Sequence, residues 1–323
     1  MNKPFSLQIS SRLLADAAQK RGYNVEYLDP NYTSLVMITP PGCEGKLFKS
    51  TVTINESFLG GYIAANKYLS YKVLRDADCP VPKTWLANAA TFNPEETKKY
   101  VVKPATANHG DGVFVNLDTA DAITTAIQKA AEYDDNGDVV IQEQLTGYDH
   151  RFLVVGSDVF VVKRSPPVVT GDGVSTIRDL VVMLNQDPRR GEAREGILNR
   201  VSLEDVEAYL GSPRLADIPA VGEEVALLGT ANVGRGGSTE NVTENTHPSL
   251  TALALKVARL LSVEVCGVDI MCEDSGKAVD EQACGIIEVN LSPGIRMHHR
   301  PSIGKPVAVA NNILDISFKE QKT

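Results

Sequence analysis

Residues 286–299 read IIEVNLSPGIRMHH. Ile286, Ile287, Val289 and Leu291 are the β-forming apolar residues that a sheet buries. Glu288 and Asn290 interrupt them two apart, so both side chains leave the strand on one face. Pro293 and Gly294 end the strand, and Arg296, His298, His299 and Arg300 follow at once. A carboxylate and a carboxamide side by side, with basic groups brought to the same place, suit a polar site. They equally suit an exposed sheet face where both simply meet water, and spacing alone leaves the two readings open.

Working outward, Asp269 interrupts another apolar run, CGVDIM, and the connection EDSGKAVDEQACG that follows is polar and glycine-containing. If these two strands are antiparallel neighbours, Asp269, Glu288 and Asn290 converge on one face. Carboxylates gathered in an apolar setting repel one another and need a cation. A small all-oxygen donor set suits Mg²⁺, which fills the rest of its shell with waters and substrate phosphates.

A second motif lies at VVKPATANHGDGVFV, where Lys103 ends a buried strand and a loop of Asn108, His109, Gly110, Asp111 and Gly112 follows. Glycines let backbone N–H groups approach an anion, and the lysine supplies charge. The loop opens into a strand rather than a helix, and the chain contains no G-K-[ST], so this is neither a Walker loop nor a dinucleotide fingerprint. A generic glycine hairpin remains an alternative for the loop by itself.

The 323 residues suffice for two or three domain-sized units, and a net charge of −9 argues against nucleic acid or an anionic membrane as the main partner. Five cysteines, odd in number and without a C-x-x-C pair, suggest a reduced, cytoplasmic protein without a zinc site. The N-terminus has no signal-like apolar region and no run is long enough to span a bilayer. Along the chain, SSRLLADAAQKRGYNVEYLD reads as helix then strand, SLVMI and STVTIN as strands, and GGYIAANKYLSYKVLRDAD as one helix. CPVPKTW marks a boundary, because its two prolines favour extended chain. Strand, glycine loop, strand, helix and strand then make a small α+β unit. HRFLVVGSDVFVVKRSPP reads as a hairpin, and SLTALALKVARLLS as a core helix.

Taken together, the lysine–glycine loop and the downstream carboxylate strands resemble the ATP-grasp superfamily. Within it, KPATANHGDGV, VVTGDGVSTIRDLV, NQDPRRGEAREGILNRV, TANVGRGGSTENVTENTHP and GIIEVNLSPGIRMHHRPSIGKP look similar to the ATP-grasp half of the cyanophycin synthetases. The bifunctional glutathione synthetases share some of this. The resemblance implies an α+β ATP-grasp fold in which two α+β subdomains clamp ATP. It divides the chain into a short N-terminal α/β unit (1–82), a small flap subdomain (83–145) and a large subdomain (146–323). It implies that Lys67 and Lys103 contact ATP phosphates, with His109, Gly110 and Gly112 closing over them. Residues 142–145, including Glu143 and Leu145, resemble the hinge that reads adenine, and Asp149 the ribose contact. Asp269, Glu288 and Asn290 are implied to hold one or two Mg²⁺ ions, or Mn²⁺. Arg296 and Arg164 are implied to face the acyl phosphate.

Arg189, Arg190 and Arg194 form a dense basic stretch, read either as a clamp for substrate carboxylates or as a solvated loop balanced by Asp187, Glu192 and Glu195. Asn232, Gly236 and Gly237 resemble a substrate-facing glycine turn. Three departures accompany the likeness. The chain ends at Thr323 without the P-loop half of cyanophycin synthetase, so it is expected not to run both steps of that polymerisation alone. Leu228 stands where these relatives tend to carry arginine, while Arg235 falls inside the glycine turn. The N-terminal unit is short, and a homodimer would complete the missing wall. The implied activity is ATP-dependent joining of a small-molecule or peptide carboxylate to an amine. A nucleotide-binding regulatory or scaffold module and an ATP-dependent phosphotransferase stay open beside it.

Overall fold

The computed structural model describes residues 9–28, 35–53, 56–87, 92–107, 110–191 and 198–319. The N-terminal unit begins with α1 (Ile9–Lys20), closed at Gly22 with φ +74°, and β1 (Asn24–Tyr27). β2 (Leu35–Thr39), β3 (Lys46–Lys49) and β4 (Val52–Thr53) extend β1 into a four-stranded antiparallel sheet. The helix expected over 60–78 is two helices, α2 (Phe58–Ala65) and α3 (Lys67–Asp76). Asn66 separates them in an extended conformation, and its side chain accepts from the amides of Tyr68 and Leu69, both at 3.0 Å. An asparagine that competes with the helix for backbone donors is a stop and a new start at once. Lys67 is thereby the first residue of α3.

The small subdomain contains β5 (Thr84–Leu86), β6 (Tyr100–Pro104), β7 (Phe114–Leu117), α4 (Ala120–Ala131) and β8 (Val139–Glu143), with strand order β5-β8-β6-β7. Tyr100, Val102 and Ile141 on the sheet pack against Ile123, Ala126 and Ala130 on α4.

β9 (Tyr148–Val155) and β10 (Asp158–Ser165) form the hairpin read from the sequence. Between β10 and β15 (Ser238–Asn241) the chain makes a lobe of its own from β11 (Val168–Thr170), α5 (Ile177–Leu184), β12 (Arg190–Gly191), β13 (Leu198–Asn199), α6 (Leu203–Leu210) and β14 (Glu224–Ala226). Ile177, Val181, Val206 and Leu215 supply its core. α7 (Pro248–Leu261), β16 (Val265–Cys272), β17 (Cys284–Asn290), α8 (Arg296–His299) and α9 (Val309–Ser317) complete the fold. The main sheet is antiparallel throughout, in the order β15-β10-β9-β16-β17. Among the described residues, no helix is long and apolar enough to cross a membrane.

Alternation along β9 and β16 assigns the two faces of this sheet. Phe152, Val154, Cys266, Val268 and Ile270 pack on Leu250, Ala254 and Val257 of α7. Leu153, Val155 and Val265 face the other way, into a core with Leu14, Phe48, Ile313 and Leu314. The N-terminal sheet thus shares its core with the main sheet and α9. Arg21 ties the two ends further, 2.7 Å from Asp315.

α2 and α7 approach so closely that a Cβ on Gly60 would lie 2.1 Å from the Leu261 carbonyl oxygen. Gly60→Ala is therefore expected to destabilise by roughly 1–3 kcal/mol, the usual penalty for overpacking. Urea denaturation with an unchanged midpoint would show that the contact is not constrained.

Candidate active site

Asp269 lies at the centre of the main sheet, in register with Arg151 of β9 on one side and Glu288 of β17 on the other. Convergence of the two carboxylate strands is thus what the structure shows. Asp269 is 2% exposed, and Arg151 grips it through Nε and Nη2, the latter 2.9 Å from Oδ2. Arg164 on β10 reaches the same Oδ2 at 2.9 Å and holds both oxygens of Asp149, at 2.6 and 2.7 Å. Room for Arg151 comes from Gly267, where a Cβ would stand 2.9 Å from Arg151 Cδ. Burial pushes the Asp269 carboxyl up, but Arg151 and Arg164 outweigh it and hold the group below its ordinary value. For Asp149 burial prevails over Arg164 and the net direction is upward.

Across the cleft, Lys103 extends from β6 of the small subdomain. Its Nζ donates to Gln142 Oε1 at 3.0 Å and to the Ile287 carbonyl at 3.2 Å. Burial pushes this ammonium down to about 8, against the pull of Glu288. Lys67 Nζ lies 3.4 Å from Glu288 Oε1 and donates to the Ala107 carbonyl at 2.5 Å. Lys67, Lys103, Arg151 and Arg164 outnumber Asp149, Asp269 and Glu288. Inside an acidic chain, the cleft carries a surplus of positive charge before any ligand enters.

The loop after β6 turns on Gly110 and Gly112, at φ +78° and +66°. A Cβ on Gly112 would stand 2.8 Å from both Pro104 and Tyr133. Asp111 pairs with Arg235 of the glycine turn at 2.7 Å, so the departure seen in the sequence joins flap to large subdomain. In that turn Asn232 accepts from the Gly234 amide at 2.7 Å. Gly236 is left-handed at φ +99°, and a Cβ there would meet Val201 at 2.6 Å. Gly237 is equally crowded, by the Ser165 carbonyl at 2.8 Å. His109 and Arg194 lie outside the described residues.

Of the remaining arginines, Arg190 and Arg296 are buried and Arg189 is exposed. Arg190 Nη1 donates to the carbonyls of Asn199 and Gly236, at 2.7 and 3.0 Å. Arg296 Nη1 donates to Asn199 Oδ1 at 2.9 Å. Arg189 turns back on Asp187, at 2.7 Å, and is not brought to the cleft. Leu228 is buried. His298 is buried and its Nε2 finds no hydrogen-bond partner; burial pushes its pKa down to about 3, so the ring is neutral. At the hinge, the amides of Glu143 and Gln144 donate to the carbonyls of Lys83 and Lys99. The Glu143 carboxylate pairs with Lys98 at 2.8 Å, and Leu145 packs where a Cβ on Gly285 would fall.

Asn290 Nδ2 lies 3.4 Å from Asp269 Oδ2, whose carboxylate Arg151 and Arg164 already hold, and among the described residues no three His, Cys, Asp or Glu side chains are grouped as metal ligands. The side-chain oxygens of Asp269, Glu288 and Asn290 are nonetheless the donor type that a hard divalent cation takes. Sequence reasoning missed Arg151 and Asn199. The first had a signal: a lone arginine in the apolar strand HRFLVV, two residues after Asp149. The second had none, since its partners are remote in sequence.

Comparison with known proteins places the fold in a family. A model of the ATP-grasp domain matches residues 64–169, and a model of the RimK-like ATP-grasp domain matches residues 229–315. The chain belongs to the ATP-grasp superfamily. It is 30% identical over 98% of its length to a cyanophycin synthetase of Trichormus variabilis, of which it spans 36%. It is 31% identical, again over 98%, to a bifunctional glutathione biosynthesis protein of Clostridium perfringens, of which it spans 42%. The crystal structure of a bifunctional glutathione synthetase from Pasteurella multocida superposes with a TM-score of 0.70 at 27% identity, covering 98% of this chain and 44% of that one. The chain therefore spans less than half the length of these relatives. The two matched ATP-grasp stretches flank the lobe between β10 and β15.

Lys103 titrates near 8 when folded, against 10.5 for an ordinary lysine. The unfolded chain therefore binds more protons between those values, and this residue's contribution to stability rises with pH across that window. The stability of the wild type minus that of Lys103→Met is expected to rise from pH 8 to about 10, read by denaturation at a series of pH values. A difference that stays flat across the window, as a lysine whose folded pKa is not lowered would give, contradicts the desolvated cation.

Proposed function

We propose that the chain is an ATP-dependent carboxylate–amine ligase that joins an amino acid or peptide acid to an amine, releasing ADP and phosphate. The observation that carries this reading is the cationic surplus of a cleft whose edge nonetheless presents Glu288, Asn290 and Asp269. Cations on the walls suit a polyphosphate, and oxygen donors at the edge suit the divalent ion that accompanies it. The similarity to cyanophycin and glutathione synthetases over nearly the whole chain supports the same reaction class.

A carboxylate is a poor electrophile, so phosphoryl transfer from ATP converts it to an acyl phosphate, and attack by the amine then expels phosphate. Lys67 and Lys103 hold phosphate oxygens from two subdomains, and the Gly110–Gly112 turn lets backbone amides approach them. Glu143, Leu145 and Asp149 enclose the nucleoside end, the hinge backbone taking adenine and Asp149 the ribose. Asp269, Glu288 and Asn290 would hold one or two Mg²⁺, which Mn²⁺ replaces, and the metal supplies charge neutralisation on the phosphates. Arg164 and Arg296 stabilise negative charge on the acyl phosphate and on the oxyanion formed when the amine adds. Arg190, Asn232, Gly236 and Gly237 line the acid's side of the cleft. Alignment of the two reactants by these groups converts an encounter into a local event.

The direct test is Mg·ATP-dependent ADP release across a matrix of free amino acids, dipeptides, aspartate-rich and γ-glutamyl peptides as acids against amino acid amines. Mass spectrometry of each hit should show a product lighter by one water than the sum of its reactants. ADP release that never requires the amine would turn the assignment to a phosphotransferase. Tight ATP binding without turnover on any pair would turn it to a binding module. Glu288→Gln is expected to lower turnover about a hundredfold or more while leaving the thermal midpoint nearly unchanged. Near-wild-type turnover in that variant would remove the metal role.

A further inference from the structure

The lobe between β10 and β15 touches the cleft through a short chain of hydrogen bonds that converges on one residue. Asn199, on β13, is 5% exposed and uses every polar group of its side chain. Its Oδ1 accepts from Arg296 Nη1 at 2.9 Å, and its Nδ2 donates to the Gly234 carbonyl at 2.7 Å. Its own carbonyl accepts from Arg190 Nη1 at 2.7 Å, and the same nitrogen continues to the Gly236 carbonyl. Two residues on, Val201 is locked to the end of α5 by paired 2.8 Å bonds with the Asn185 amide. The lobe core, the glycine turn and two buried guanidinium groups thus meet at a single residue, Arg296 on its carboxamide and Arg190 on its main-chain carbonyl.

We propose that Asn199 is the positioning residue that fixes the Arg296 guanidinium in the cleft and couples the lobe's acid-facing surface to it. A carboxamide is the residue type this task requires. It offers an acceptor to a cation and a donor to a carbonyl at once, and it is neutral, so it adds no charge of its own beside Arg296. Aspartate keeps the acceptor but loses the donor, and leucine loses both. The inference rests on the ligase reading for the location of the anion, namely the phosphoryl group that the reaction leaves beside Arg296. Asn199 itself touches no reactant; it acts through Arg296.

The experiment uses inorganic phosphate as its probe. The full chain is held with saturating ADP and Mg²⁺, phosphate is titrated calorimetrically, and ADP affinity is measured separately. Asn199→Leu is expected to weaken phosphate binding about tenfold, as loss of a charge-assisted hydrogen bond does, while ADP affinity stays within about twofold. Asn199→Asp sets a negative charge against Arg296 and should weaken phosphate binding at least as far as Asn199→Leu, and Asn199→Leu combined with Arg296→Met should bind no more weakly than Arg296→Met alone. Additive losses in that pair, or an ADP affinity that falls in step with phosphate, would make Asn199 a general packing residue and overturn the proposal. Absence of phosphate binding in the wild type would overturn it too. If Asn199→Leu does not fold, Asn199→Asp carries the test alone: phosphate affinity left at the wild-type level rejects the proposal. Failure of the ligase reading shows elsewhere, as absence of product in the acid–amine matrix, and leaves these affinities measurable.

Discussion

A carboxylate buried in the middle of a β-sheet is costly unless its charge is met on the spot, and Asp269 is met by two guanidinium groups from the two neighbouring strands on one side. Arg151 comes from the adjacent strand and Arg164 from the strand beyond it, so the cluster stitches β10, β9 and β16 together on the face that lines the cleft. Removing one member of such a set leaves an uncompensated buried charge, which costs far more than the intact set contributes. The positions of Asp149 and Glu288 follow from it. Asp149 shares Arg164 with Asp269, and Glu288 stands opposite Asp269 across the β16–β17 ladder. Lys103 from β6 and Lys67 from the start of α3 then face this arrangement.

The same strand alternation that builds the core builds the site. One face of β9 and β16 is apolar along its length and carries α7. The other is apolar where it meets α9 and the N-terminal sheet, and charged where it meets the flap. The charged half of that face and the packed half lie on the same continuous strands, so the geometry of the cluster is set by hydrophobic burial in those strands. The lobe between β10 and β15 stands apart from this scheme, with its own core, and reaches the cleft through hydrogen bonds instead of shared packing.

Much of this was legible in the sequence because it is local. The polar interruptions at Asp269, Glu288 and Asn290 lie within apolar runs, and antiparallel pairing follows from a glycine-bearing connection. Lys103 and the loop glycines likewise announce a strand and a turn. What escaped depends on long-range pairing. Arg151 reads as a stray charge until β9 is laid beside β16, and Gly267 as an unremarkable small residue until the Arg151 side chain crosses it. Asn199 acquires its role only when three distant segments meet. The helix break at Asn66 was written as a capping residue but masked by apolar spacing that runs through it on both sides. Arg189 and Arg190 are neighbours of identical type, and only the fold decides that one is buried against the carbonyls of Asn199 and Gly236 while the other folds back on Asp187.

The shared core of α1, the N-terminal sheet and α9 has a consequence for biosynthesis. Leu14 and Phe48 emerge from the ribosome long before Ile313 and Leu314, with which they pack. At the usual pace of translation, this interval is on the order of tens of seconds. Until α9 appears, the cleft-bearing face of the main sheet lacks one of its flanks, and the early strands keep apolar surface in water. Native closure therefore waits on a segment made long after its partners, a non-local contact of the kind that slows folding and makes the nascent chain a client for chaperones.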